Sequence, residues 1–171
     1  KTIVFSANRR SFLLHSIVHG LAFPVVASRL FAQSETGQPK DLLQPETRKA
    51  IQSGLAYLKS RQNGDGSVGS GGYSRNVAVC SLAGMAFLAQ GSTPGRGPNG
   101  REVNRCVSFV LENARDDGFI IAPEAVSHGP MYGHGFATLF LAEVYGMYSD
   151  PTMREKLSRA VELIVSTQNE E

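Results

Sequence analysis

The chain has 171 residues, 42% of them apolar, which suffices for one domain with a sizeable core. Of its 17 basic residues, Lys1, Arg9, Arg10 and Arg29 stand in the first 32 positions, where there is no acidic residue. The remainder carries 13 basic against 15 acidic residues, and so weakly acidic a body excludes the electrostatic footprint of a nucleic-acid binder.

Asn8-Arg9-Arg10-Ser11-Phe12-Leu13-Leu14 resembles a twin-arginine export signal. A moderately apolar stretch over residues 12–27 follows, diluted by His15, Ser16, His19 and Gly20, with small residues at Ala27, Ser28 and Ala32 as cleavage sites. A basic start, a short apolar run and a small-residue site define a secretory signal. The twin-arginine kind is an address read by a receptor rather than an anchor. A spanning helix is the competing reading, but the run is too short and too polar to cross hydrocarbon comfortably. Residues 1–32 are therefore expected to be a signal, and the mature chain to be exported, periplasmic or otherwise extracytoplasmic, with no membrane span. Residues 33–44, rich in Gln, Ser, Gly and Pro, fit a linker.

Five helices are predicted over residues 45–171. The first, 46–62, is amphipathic: Ile51, Leu55 and Leu58 recur at i, i+4 and i+7, and Pro45 suits its first turn. The second, 76–90, is apolar all round with small residues interleaved, so it should be buried on most faces. Residues 102–114 return to an amphipathic pattern on Val103, Val107 and Val110. The fourth segment, 134–148, is again apolar all round. The fifth, 151–168, carries a stripe of Leu157, Val161 and Ile164, with Asp150 placed as N-cap before Pro151. The connections are rich in Gly and Pro, above all residues 91–100. A helix exposed on one side must be amphipathic, whereas one ringed by others need not be. The alternation therefore predicts an outer layer of helices around an inner one, in an all-α chain.

The amphipathic segments also repeat. Ile51, Leu55 and Leu58 align with Val103, Val107 and Val110 at an offset of 52, and with Leu157, Val161 and Ile164 at an offset of 106. Asp65-Gly66 falls on Asp117-Gly118, and Gln62-Asn63 on Gln168-Asn169. A period of this size with two helices per unit marks a repeat architecture. In its turn, Gln62 can bond the carbonyls of its own helix end or the start of a neighbour. Gly64 and Gly66 allow a tight reversal, and Asp65 can accept from turn N–H groups.

Residues 54–67, running Gly-Leu-Ala-Tyr-Leu-Lys-Ser-Arg-Gln-Asn-Gly-Asp-Gly-Ser, resemble the QW repeat of squalene-hopene cyclases and related prenyltransferase-fold proteins. The repeat's Trp position is Val68 here, and the chain has no Trp. Residues 76–90 and 128–147 resemble an exported bacterial subgroup of these repeat proteins. The resemblance covers the body from residue 45 onward. It implies a partial α/α toroid of helix-pair repeats, about two and a half of them, with Gln62, Asp65, Gly66, Asp117, Gly118 and Gln168 as the structural repeat motif. A closed toroid needs more helix pairs than this, so the chain is expected to be a piece truncated at its C-terminus; the competing expectation is an open arc that needs a partner.

The chemistries of that family lack their residues. No Asp-x-Asp-Asp run occurs, and Asp116-Asp117 falls where the repeat places a turn. Cys80 and Cys106 have no neighbouring zinc ligands, so no metal site is expected; they either pair in an oxidising compartment or, the favoured reading, remain buried thiols. The loop Gly95-Arg96-Gly97 follows a helix rather than a strand, which removes a phosphate-loop reading. A carbohydrate-cleaving toroid would want paired carboxylates in an aromatic cleft, and the chain has no Trp to build one. The richest polar stretch brings Glu124, His128, Tyr132 and His134 within eleven residues of one another. These are candidate pocket residues, with the histidines as acid/base groups or metal ligands. The competing, favoured reading is that Gly129, Pro130, Gly133 and Gly135 shape a tight turn and a histidine caps the next helix. The resemblance implies an isoprenoid or other apolar small molecule as ligand or substrate. A non-catalytic scaffold holding a ligand or another protein is the alternative, and no cofactor is specified.

Overall fold

The computed structural model describes residues 43–123, 125 and 129–168. The expected signal over residues 1–32, most of the expected linker, Glu124, His128 and Asn169 lie outside the described residues. Five α-helices run in chain order: α1 Pro45–Ser60, α2 Val77–Ala89, α3 Gly100–Glu112, α4 Pro130–Val144 and α5 Met153–Ser166, with one 3-10 turn at Gly71–Tyr73. Among the described residues the only extended pairings are isolated bridges, Gln62 with Val68, Thr93 with Arg96, and Ala114 with Ile120. The chain is all-α, and no described helix is long and apolar enough to cross a membrane.

Local chemistry explains most boundaries. Pro45 occupies the first turn of α1, where a missing N–H costs nothing. Asn76 caps α2, its Oδ1 accepting from the N–H groups of Ala78 at 2.9 Å and Val79 at 3.2 Å. Several boundaries depart from the sequence pattern, most of all those of α4 and the start of α5. The start of α4 lies four residues before the predicted 134, because Pro130 opens the helix as Pro45 opens α1 and the glycines at 133 and 135 continue it instead of breaking it. The helix stops at Val144, where Tyr145 turns extended and Gly146 takes a φ of 85°. Asp150 does not cap α5. Its Oδ1 accepts from Thr152 N–H at 2.7 Å and Thr152 Oγ1 at 2.6 Å, closing a separate turn ahead of the helix.

The helices close around one core. Helix α2 packs against α1, α3 and α4, and α4 packs against α2, α3 and α5. Phe87, Phe109, Phe140, Leu141, Val103, Val107 and Val110 are fully buried between them. Helices α2 and α4 run the same way, since Gly133 sits by Val77 and Phe140 by Gly84. The approach is close: a Cβ on Gly84 would stand 2.5 Å from the Phe140 ring. The apolar helices are not buried all round, however. Each keeps one face outside its contacts, and Leu82, Phe136 and Leu139 are exposed there.

Candidate functional site

Two turns repeat each other atom by atom. In the first, Asn63 N–H donates to Ser67 O at 2.8 Å, Gly66 N–H to Asn63 O at 3.1 Å and Gly69 N–H to Arg61 O at 3.1 Å. In the second, 52 residues on, Arg115 N–H donates to Phe119 O at 3.0 Å, Gly118 N–H to Arg115 O at 3.1 Å and Ile121 N–H to Asn113 O at 3.1 Å. Asp65 Oδ1 accepts from Ser67 N–H, and Asp117 Oδ1 from Phe119 N–H, both at 3.0 Å. Gly66 and Gly118 have φ of 92° and 86°. A Cβ on either would stand 2.3 or 2.4 Å from the carbonyl oxygen of Arg105 or Arg159 on the following amphipathic helix. Glycine is needed there for conformation and for room alike.

Each turn is also clamped from that next helix. Arg105 donates to the carbonyls of Asn63 and Gly64, and Arg159 to Asp116 O at 3.2 Å. Gln62 adds a second tie: its Nε2 donates to Gly66 O at 3.2 Å and to Glu102 O at 3.0 Å, so it bonds its own turn and the start of α3. Burial acts to raise the Asp65 carboxyl, but the Ser67 hydroxyl and N–H and the Arg75 guanidinium more than offset it and hold the group below its usual range. Glu102 behaves alike, with burial opposed by the Lys59 ammonium 2.9 Å away. Gln168 stands exposed just past α5.

Of the four candidate pocket residues, two can be placed, and they differ in exposure. Glu124 and His128 lie outside the described residues. Tyr132 projects from the first turn of α4 and is largely exposed. His134 is fully buried, so it lines no open pocket. Its Nδ1 accepts from Ile120 N–H at 3.2 Å and its Nε2 donates to Ala160 O at 3.1 Å, which ties the second turn, α4 and α5 together. Burial lowers its pKa, and the Ala160 carbonyl only partly restores it. The tight-turn expectation for Pro130, Gly133 and Gly135 is also corrected, because all three are helical.

His134 has a counterpart 54 residues earlier in Cys80, and Ala160 has one in Cys106. The niche beneath each turn is filled differently in the two repeats. In one it holds two thiols; in the other, one imidazole reaches across to an alanine. The Cys80 and Cys106 side chains are both free and fully buried.

Part of the outward face of α4 is apolar. Along α4, Tyr132, Phe136, Leu139 and Glu143 recur at i, i+4, i+7 and i+11, with Phe136 38% and Leu139 48% exposed. Leu82, the counterpart of Phe136 in α2, is 46% exposed. Sequence patterning missed this stripe, although the 54-residue spacing of Leu82 and Phe136 carries the signal. A second apolar groove of about 570 Å³ lies between α1 and α2, lined by Ile51, Leu55, Tyr57, Leu58, Ala86 and Ala89. Asp116 and Asp117 sit exposed in the second turn, paired with Arg159 at 3.6 Å and Arg115 at 2.6 Å. Among the described residues no group of three His, Cys, Asp or Glu side chains converges as a metal site. Compared with protein-family models, curated proteins and solved structures, the chain finds no match.

Proposed function

We propose that the chain is an exported, terpenoid-cyclase/prenyltransferase-like repeat protein, an arc of an α/α toroid, whose inner helices bind an isoprenoid or another apolar small molecule. The exposed stripe of Tyr132, Phe136 and Leu139 on α4, repeated at Leu82 on α2, carries this reading. A lone exposed leucine means little, but a register-matched apolar row on neighbouring parallel helices is a surface with a use. From Tyr132 to Glu143 the row is about 16 Å long, a fit for an extended hydrocarbon chain. No acid sits within the row ahead of Glu143, so binding is favoured over cyclisation. Export rests on the arginine pair and apolar run of the first 32 residues.

Farnesol titration of the full chain tests the ligand reading. With five tyrosines and no Trp, the emission comes from tyrosine without interference from indole, and loss of the response in Tyr132→Phe assigns it to the α4 row. Saturable quenching is expected, and a Phe136→Ser, Leu139→Ser double variant should weaken it about tenfold or more, the scale of two large side chains losing burial. A linear, non-saturating response, or equal binding by the variant, defeats the proposal.

A protein-binding scaffold is the second reading, and a separate observation favours it. Val161 and Val165 on α5 are 45% and 61% exposed, while their counterparts Val107 and Leu111 on α3 are 0% and 4%. That reading predicts self-association or partner capture abolished by Val165→Lys, read by light scattering; a monomer at every concentration, with no change in the variant, counts against it.

A further inference from the structure

Beneath the first turn, side chains from two helices bring two thiols together. Cys80 belongs to α2 and Cys106 to α3, and neither has any exposed surface. Both side chains meet the same turn, Cys80 at Gly66 and Cys106 at Gln62, whose Nε2 also bonds Gly66 O. Cys80 Sγ is 3.6 Å from Gly66 O and 4.0 Å from Cys106 O, and Gln62 Nε2 is 3.3 Å from Cys106 Sγ. In the second repeat the same niche holds a cross-helix link, because His134 of α4 reaches the Ala160 carbonyl of α5. The first repeat has no such strong bond at this place, only thiols with weak hydrogen-bonding power. Two sulfurs so placed can supply the missing link covalently, whereas a single buried cysteine would be packing alone.

We propose that Cys80 and Cys106 form a redox pair that closes to a disulfide under oxidising conditions and clamps α2 to α3 beneath the first turn. The oxidant is a small disulfide such as oxidised glutathione. One protein thiolate attacks it, forming a mixed disulfide and releasing one glutathione thiolate. The other protein thiolate then attacks the protein sulfur of that mixed disulfide and expels the second. Two S–H bonds are exchanged for one S–S bond, and the two electrons and two protons leave on two reduced glutathiones. The neighbouring Cys106 thiol and burial both hold the Cys80 thiol well above its usual range. Cys80 is therefore slow to ionise in the native state, and closure takes place during folding or local opening. The pair is separate from the apolar row and does not depend on the ligand reading, although α2, which carries Leu82, is one of the helices it would hold.

The test is oxidative refolding of the full chain in a glutathione redox mixture, beside a sample refolded with a phosphine reductant. Both are alkylated under denaturing conditions and weighed intact. The oxidised chain should be lighter by two hydrogens, take up no alkyl group and run as a monomer on a non-reducing gel. It should also melt about 5 °C or more above the reduced one, a shift absent in Cys106→Ser. Uptake of two alkyl groups after oxidative refolding overturns the proposal, as does a lasting glutathione adduct or a purely intermolecular bond. So does a closed form that melts lower, since the helices would then have to move apart to accommodate it. The mass, the gel and the melting comparison all come from the unmutated chain, so they decide the matter even if the serine variant fails to fold.

Discussion

His134 shows how a residue chosen for its chemistry can be held by its surroundings in a single protonation state. With Nε2 donating to Ala160 O and Nδ1 accepting from Ile120 N–H, the neutral ring satisfies two buried main-chain groups at once. Protonation would set a second ring proton against the Ile120 N–H. The folded pKa is lowered by burial, while an unfolded histidine titrates near about 6.5. The unfolded chain therefore binds more protons through this window, and stability must fall with falling pH. The contribution is complete above about pH 6.5 and is lost progressively as the pH drops toward the folded value. Urea midpoints measured from neutral to mildly acid pH should decline, and His134→Gln should flatten that decline. An equal slope in the variant would show that another group is responsible. His134→Ala should cost about 3 kcal/mol at neutral pH, from two orphaned backbone groups and a cavity.

At the scale of elements, the repeated turn joins sequence to packing. The spacing of Gln62, Asp65 and Gly66, and of Asp117 and Gly118, is directly legible, because each residue type has one local task in a tight reversal. Of the amphipathic stripes only the middle one is fully legible: Val103, Val107 and Val110 are all fully buried, whereas Ile51 on α1 and Val161 on α5 are 43% and 45% exposed. The start of α4 is not, since Gly129, Pro130, Gly133 and Gly135 carry strong turn propensity, yet the helix that Pro130 opens runs through both later glycines, with Gly133 against Val77. Nor is the open face of the apolar helices, for a helix with apolar residues all round fits both complete burial and one side left uncovered. The tasks of Gly118 can be separated by experiment. Gly118→Ala meets both a positive φ and the Arg159 carbonyl, and should cost at least about 2 kcal/mol in denaturant unfolding. Gly91→Ala shares the positive φ but has open space around it, and should cost about 1 kcal/mol. Equal losses would mean that the approach of α5 to the turn contributes nothing.

Over the whole molecule, equivalent positions differ in what covers them. Helix α3 packs against both α2 and α4, and its valines are sealed; α5 has α4 on one side, and its matching valines stand in the open. Equivalent valines with different neighbours bury different amounts of surface, so the same substitution should not cost the same at each site. Val107→Ala removes two methyl groups from a fully buried position and should cost about 2 kcal/mol. Val161→Ala, 54 residues further on, removes the same groups from a surface already 45% exposed, and should cost under about 0.5 kcal/mol. Denaturant unfolding of the two variants beside the parent chain measures both. A large loss at Val161 would mean that its face is covered in solution, and concentration dependence of that loss would identify the cover as a second copy of the chain. A small loss leaves the α5 face as the apolar surface the scaffold reading requires, with Val107 marking how much stability a covering helix can contribute there.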